Sequence, residues 1–280
     1  RESIHLGGAA NVYANLIALG AQANVVGIIG DDTAGRRLMN ELNSGAAHEP
    51  CKTLVIDPSR PTTVKTRIIA HNQLVVRTDR EKRLPVEGLI ETEIVKRAKS
   101  VLADADALII SDYDKGCLTP AILTEVLAYA STLKVPILVD PKFRNLDSYR
   151  PATFVTPNHH EVLRYAGFEN DSDDFIVTAA RSLCSRLGCR SVLVTRGSEG
   201  MMLLDENREP VFVKAAAREV YDVTGAGDTC IATLAAATAA GATSLESAIL
   251  ANHAAGVVVG KVGTATTTTT EIIASLKTTL

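Results

Sequence analysis

The sequence offers no paired cysteines, no block of basic residues and no apolar run long enough to span a bilayer, and each absence removes a class of protein. Cys51, Cys117, Cys184, Cys189 and Cys230 are scattered with no Cys-x-x-Cys pair. That pattern argues against a zinc or disulfide framework and for reduced thiols in a cytoplasmic protein. Lys and Arg number 29 against 32 Asp and Glu, a formal net charge of −3, so the counterion-driven attraction that carries nucleic-acid binding is missing. The most apolar stretch, residues 229–240, is interrupted by threonines and falls short of the ~18 residues a membrane helix needs. No secretory leader is expected, because the chain opens Arg1-Glu2-Ser3 and reaches Gly7-Gly8 at once. Neither an internal repeat nor a linker rich in Pro, Gly or Ser divides the 280 residues, 46% of them apolar. One folded domain over 1–280 is the expectation.

What the chain has is alternation. Short β-rich runs at 24–29, 107–111, 136–140, 153–156 and 191–195 are separated by helical patterns at 10–19, 33–42, 87–102, 120–133, 159–165 and 175–187. This is the signature of an α/β fold with a mostly parallel central sheet flanked by helices. A hairpin at 200–204 and 210–214 and two closing helices at 245–261 and 270–280 complete the reading, with Thr270 as the cap of the last helix. Residues 52–56 and 62–80 break the pattern and read as antiparallel strands, a small β lid inserted at about 52–80. Their period of two puts Lys65 and Arg67 on one face and Val75, Arg77 and Asp79 on one face of the next strand. Such a polar face is either solvated or closes over a polar ligand.

The sharpest local feature is Asp222-Val223-Thr224-Gly225-Ala226-Gly227-Asp228 ahead of the alanine-rich run. Gly225 and Gly227 let a phosphate approach the backbone, a following helix aims free N–H groups at it, and Asp228 stands in the first turn as a base. A glycine turn opening an ordinary helix is the plainer alternative. Other polar groups end predicted strands, where open α/β sheets place their ligand crevices: Ser111-Asp112-Tyr113, Asp140-Pro141-Lys142, Asn158-x-x-Glu161 and Thr195-Arg196-Gly197. Asn158 and Glu161 could offer oxygens to hydrated magnesium, and Lys142 a charge to a phosphate. Gly197 allows a nucleotide close to the backbone. Gly7-Gly8-Ala9-Ala10-Asn11 would suit a sugar. The segment Gly27 to Gly35 has the wrong spacing for a dinucleotide fingerprint, and Asp31-Asp32 would repel a pyrophosphate. Adjacent His159 and His160 lack a third ligand at zinc-like spacing, and neighbouring helical residues are expected to point apart.

Taken in order, these motifs together with Asn252-x-Ala254-Ala255-Gly256 resemble the ribokinase-like carbohydrate kinases over essentially the whole chain. Pro61 to Arg67, Asn72-Gln73, Arg77 to Glu81, Ser111 to Gly116, Asp140-Pro141-Lys142 and Gly260 to Thr266 are similar to heptose 7-phosphate kinases in particular. The resemblance implies a three-layer fold, ATP with Mg2+, and phosphoryl transfer to the anomeric hydroxyl of D-glycero-β-D-manno-heptose 7-phosphate. It implies Asp228 as the base and Gly225, Ala226 and Gly227 as the anion hole. Gly8, Asn11, Lys65, Arg67, Asn72, Arg77, Asp112 and Lys142 fall to the substrate. Asn158, Glu161, Thr195, Gly197, Thr224, Asn252, Val262 and Gly263 fall to the nucleotide. Magnesium would lie at Glu161 and Asn158, and a monovalent cation near Asp222 and Thr224. Lid-to-lid pairing to a homodimer is a further implication. So is a first strand ending in Gly-Asp upstream of Gly7, a strand the 280 residues do not include, which would leave the sheet a strand short and the sugar site incomplete. Another acceptor (ribose, fructose or a nucleoside) and a catalytically idle binding module stay open as alternatives.

Overall fold

The computed structural model describes residues 3–44, 50–70, 73–206, 208–217 and 220–278; Asn72 lies outside them. The chain runs through α1 (Ala9–Ala18), β1 (Gly27–Ile29), α2 (Thr33–Asn43) and β2 (Leu54–Ile56). The hairpin of β3 (Val64–Ala70) and β4 (Gln73–Arg80) follows. Next come α3 (Leu89–Leu102), β5 (Leu108–Ser111), α4 (Pro120–Thr132), β6 (Ile137–Asp140), β7 (Phe154–Val155), α5 (His159–Ala166) and α6 (Asp173–Leu187). The chain closes with β8 (Ser191–Thr195), β9 (Met201–Asp205), β10 (Val211–Val213), α7 (Ala226–Ala239), α8 (Ser244–Val259) and α9 (Thr269–Lys277).

Strands β6, β7 and β8 are apolar at nearly every position, and the pleat sends their side chains into two separate cores. Val139, Val155, Val192 and Val194 pack with α3, α4, α5 and α6, while Leu138, Phe154 and Leu193 pack with α1, α7 and α8. The sheet order is β10-β9-β8-β7-β6-β5. β5 to β8 are parallel and β9 and β10 extend the sheet antiparallel. Parallel order puts the carboxyl ends of β5, β6, β7 and β8 along one rim, and the strand-end polar groups gather there. No helix among the described residues is long and apolar enough to cross a membrane.

Three expectations are corrected. Residues 52–56 are not a lid strand: Leu54 and Val55 are buried, and β2 pairs in parallel with β1 as part of the body. Apolar burial outweighed the β-branched composition that made the segment look continuous with the hairpin. The last helix is capped by Thr268, reciprocally with Glu271, rather than by Thr270; the cap must stand three residues before its glutamate. The rings of His159 and His160 lie 3.8 Å apart at the start of α5 instead of diverging, although no group of three His, Cys, Asp or Glu able to hold a metal occurs among the described residues.

The pair β1–β2 stands apart from the six-stranded sheet. Between β1 and β5 runs a slot walled by Val12 and Leu16 of α1 and by Ile94, Ala98 and Leu102 of α3. The slot is part of a single cavity of about 2340 Å3 that reaches Gly225 and Asp228. The hairpin β3–β4 contributes Lys65, Thr66, Arg67, Thr78 and Arg80 to the same cavity. Its root is Asp32, which N-caps α2 at Gly35 N (2.8 Å) and accepts from Thr62 Oγ1 (2.7 Å) and Thr62 N (3.1 Å). Arg80 closes this root at 3.2 Å from Asp32. The acidic residue that ruled out a dinucleotide loop thus anchors the lid.

Candidate active site

Asp228 sits at the third position of α7, where burial raises its carboxyl above the usual aspartate range and hydrogen bonds from Asn11 and Tyr113, with the Lys142 charge, counter part of that rise. Asn11 Nδ2 donates to Asp228 Oδ2 at 2.7 Å, and the Tyr113 hydroxyl donates to Oδ1 at 2.7 Å. Asn11 is itself held: Asn15 Nδ2 donates to its carbonyl at 2.9 Å, and Thr229 Oγ1 donates to Asn15 Oδ1 at 2.9 Å. These residues come from α1, the end of β5 and α7, joined only by tertiary packing. A carboxylate so fixed, with lone pairs still free beside a cavity, is placed to accept a proton from a bound hydroxyl.

The start of α7 is open to an anion. Gly225 precedes the helix at φ 84, and no side chain caps it, leaving N–H groups of the first turn with the positive dipole end behind them; the Ala226 amide, expected in the anion hole, instead donates to Val223 O at 3.2 Å. A Cβ on Gly227 would meet nothing within 4 Å. That empty cradle is where a phosphate would lie against the backbone, so the residues present fit the γ-phosphate end of a nucleotide.

Lys142 links this end to the β7–α5 corner. Its Nζ lies 2.6 Å from Glu161 Oε1 and 3.6 Å from Asp140 Oδ1. Burial opposes the lysine charge, but the two carboxylates outweigh it and hold the ammonium above its ordinary range. Burial pushes Asp140 up to about 7, against the pull of Lys142. Asn158 and Glu161 form a capping box on α5, Asn158 Oδ1 accepting from Glu161 N (2.9 Å) and Glu161 Oε2 from Asn158 N (3.0 Å). Helix capping therefore accounts for their three-residue spacing, and Glu161 Oε1, shared with Lys142, is the oxygen left toward a hydrated cation. Asp222 accepts from Thr224 N (2.9 Å) and Gly263 N (3.1 Å), tying the loop before α7 to the one after α8.

Gly8, Lys65, Arg67, Asp112, Lys142, Asp222, Thr224, Gly225, Asp228, Val262 and Gly263 line one cavity. Asn11 lies just beneath it, and Asn158, Thr195, Gly197 and Asn252 fall on neighbouring strand ends and α8. Thr195 bridges Asn158, and buried Asn252 donates to Lys214 O at 2.7 Å. Arg77 is half-exposed on Asp79 at 3.0 Å. Asp112 is turned into its own loop, accepting from Asp114 N, Asn145 Nδ2 and Tyr149 Oη at 2.8, 2.8 and 2.6 Å. It holds the loop that presents Tyr113. Ser111, Tyr113 and Asp140 were read from the sequence only as members of strand-end clusters, without a role of their own, and Asn15, one turn after Asn11, was not singled out.

The profile of the pfkB family carbohydrate kinase matches residues 1–271. The bifunctional protein HldE of Paramagnetospirillum magneticum is 45% identical over 276 residues, covering 99% of this chain and 56% of the relative. That of Trichlorobacter lovleyi is 43% identical over 277 residues, with the same 99% and 56%. The chain thus spans little more than half the length of these relatives. Among solved structures, ribokinase of Arabidopsis thaliana with ribose and ATP superposes at a TM-score of 0.75, 23% identity, covering 97% of this chain and 87% of that one. Phosphofructokinase-2 of Escherichia coli with potassium superposes at 0.77 and 18% identity over the same shares. These two likenesses establish the ribokinase-like fold, and the profile match over residues 1–271 places the chain in the pfkB family of carbohydrate kinases.

Proposed function

We propose that this cytoplasmic enzyme transfers the γ-phosphoryl group of ATP to the anomeric hydroxyl of D-glycero-β-D-manno-heptose 7-phosphate, giving the 1,7-bisphosphate and ADP. The observation that carries the reading is a half-buried, doubly hydrogen-bonded Asp228 at the uncapped, glycine-entered start of α7, facing a cavity with cations on its lid. When bound, ATP supplies the phosphoryl group and Mg2+ neutralises phosphate charge. Asp228 takes the proton of the acceptor hydroxyl as that oxygen bonds to phosphorus and the bond from phosphorus to the β-bridging oxygen breaks. The amides of Gly225 and Gly227 face the charge that develops, whereas Ala226 N donates to Val223 O at 3.2 Å, and Lys142 adds a fixed cation. Glu161 Oε1 would serve the metal, with Asn158 holding Glu161 through the helix cap, and Asp222 and Thr224 would hold a monovalent cation. Thr195, Gly197, Asn252, Val262 and Gly263 are assigned to the nucleotide.

Preference for an acceptor that already carries a phosphate is argued from the lid. Among the described residues Lys65 and Arg67 form no ion pair, whereas Arg77, Arg80 and Lys115 each hold a carboxylate. Cations on the cavity wall without a salt-bridge partner, the Arg67 charge reaching no further than its pull on Asp222, are suited to a phosphate monoester. Turnover is measured by coupled ADP release. Lys65→Ala and Arg67→Ala should each raise KM for the heptose phosphate by roughly 10- to 100-fold, the loss of one charge-assisted hydrogen bond, with KM for ATP nearly unchanged. Absence of turnover with the heptose phosphate but turnover with ribose, fructose or a nucleoside would move the enzyme to another acceptor; nucleotide binding without transfer to any sugar would make it a binding module.

The lid also supports a homodimer. Ile68 and Val76 face each other across β3–β4 and stay about half exposed, at 50% and 43%, and a two-stranded ribbon cannot cover such a pair by itself. Light scattering should give twice the monomer mass at micromolar concentration, and Ile68→Lys should return it to the monomer. A single monomeric species from the parent chain would overturn the dimer.

A further inference from the structure

The geometry points to Tyr113 as the positioning residue of the phosphoryl-transfer base, a hydroxyl that holds Asp228 Oδ1 toward the acceptor and is itself oriented by Ser111. The inference rests on the reading of Asp228 as the base. Tyr113 Oη lies 2.7 Å from Asp228 Oδ1, and Ser111 Oγ lies 2.9 Å from Tyr113 Oη. A phenol hydroxyl has a single hydrogen to donate. With Ser111 donating into its lone pair, that hydrogen is directed at the carboxylate. The direction is thereby fixed along Ser111 to Tyr113 to Asp228, and Asn11 fixes the other carboxylate oxygen.

The surrounding structure is built to keep the ring where it is. Asp112, immediately before it, is saturated by Asp114 N, Asn145 and Tyr149. Gly8 lies on the ring's other side, where a Cβ would come within 3.6 Å of it. Tyr113 therefore stands between the glycine start of α1 and the base. It is not a second base: burial and then the Asp228 charge push its phenol above the ordinary tyrosine range, so it stays a donor throughout the working pH range. The charged groups around Asp228 are Lys142 and Asp140 from the end of β6, with Glu161 of α5 behind Lys142. Lys142 favours the carboxylate and Asp140 opposes it, and the tyrosine hydroxyl adds its donation to the lysine side.

The proton of the acceptor still goes to Asp228, and Tyr113 neither gains nor loses one. Its removal should act on the base in two ways: a freer carboxylate, and a carboxylate less stabilised in its charged form. In the full chain, Tyr113→Phe should lower kcat roughly 10-fold or more with KM for ATP unchanged. It should also move the acid limb of the kcat profile about one pH unit upward, the loss of one donor to a carboxylate. The same upward movement should appear in the carboxyl 13C titration of Asp228 followed by NMR, a readout that needs no substrate. Ser111→Ala, which leaves the ring in place, should shift both in the same direction by less. An inactive Asp228→Asn beside a Tyr113→Phe with unmoved limb and unmoved NMR midpoint overturns the role of Tyr113 and leaves the base assigned. Full activity in Asp228→Asn overturns both. If Tyr113→Phe fails to fold by thermal melting, Ser111→Ala decides, and an unshifted midpoint there overturns the inference.

Discussion

Asp228→Asn lowers kcat by roughly 10²- to 10⁴-fold, the range for removing a positioned base, while KM for ATP stays within about twofold of the parent in the same ADP-release assay. The amide cannot take a proton, and it also breaks the local pattern of donors. Asn11 offers an N–H to one oxygen and Tyr113 an O–H to the other. An amide accepts through one of its two ends only, so its NH2 must face one of these donors. The Asn11 amide, held by its own helix and by Asn15, is the stiffer partner, whereas the Tyr113 hydrogen is directed by the single Ser111 donation and turns once that donation is given up. The amide oxygen is thus drawn to Asn11, and the variant keeps its fold while losing its chemistry. Retention of parental kcat would remove Asp228 from the reaction altogether.

The second large effect is Gly225→Ala. Gly225 stands at φ 84, in the left-handed region, where a Cβ costs on the order of 1–2 kcal/mol. The added methyl would also lie 2.8 Å from Asn11 Nδ2. Asn11 is buried in α1 and cannot retreat without giving up Asp228. The substitution therefore reaches the base through its hydrogen-bond partner, and a displacement on the ångström scale costs about 100-fold in kcat. Gly227→Ala provides the contrast. Its methyl enters open space in the free protein, so stability is held and the penalty falls on KM for ATP. Steady-state kinetics on both variants separate the two roles; a Gly225→Ala enzyme with parental kcat would contradict the coupling through Asn11.

The layered α/β body was legible because helix and strand periods are local and burial on both faces leaves continuous apolar runs, as in β6 and β8. The heptad was legible for the same reason: a glycine turn, an uncapped helix and an acidic first turn are neighbours in sequence. What joins them was not. Asn11 meets Asp228 across 217 positions and Tyr113 meets it across 115, contacts set by the parallel strand order and by α1 packing on α7. Residues 52–56 were misassigned because a three-residue strand shows no period, and only pairing with β1 decides its sheet. The Asn158-x-x-Glu161 spacing was seen, yet its hydrogen bonds serve α5 first, so one short motif carries a helix cap and a candidate ligand together.

The root of the hairpin places two mechanical duties on one carboxylate. Asp32 caps α2 through Gly35 N and also holds Thr62 and Arg80, so helix, connecting loop and lid strand turn on a single pin. Burial opposes its charge, but hydrogen bonds from Thr62 and Gly35 and the Arg80 charge outweigh that and keep this carboxyl below the ordinary aspartate range. The pin therefore stays charged wherever an ordinary aspartate would, and replacing it would loosen the lid and unseat α2 in the same event.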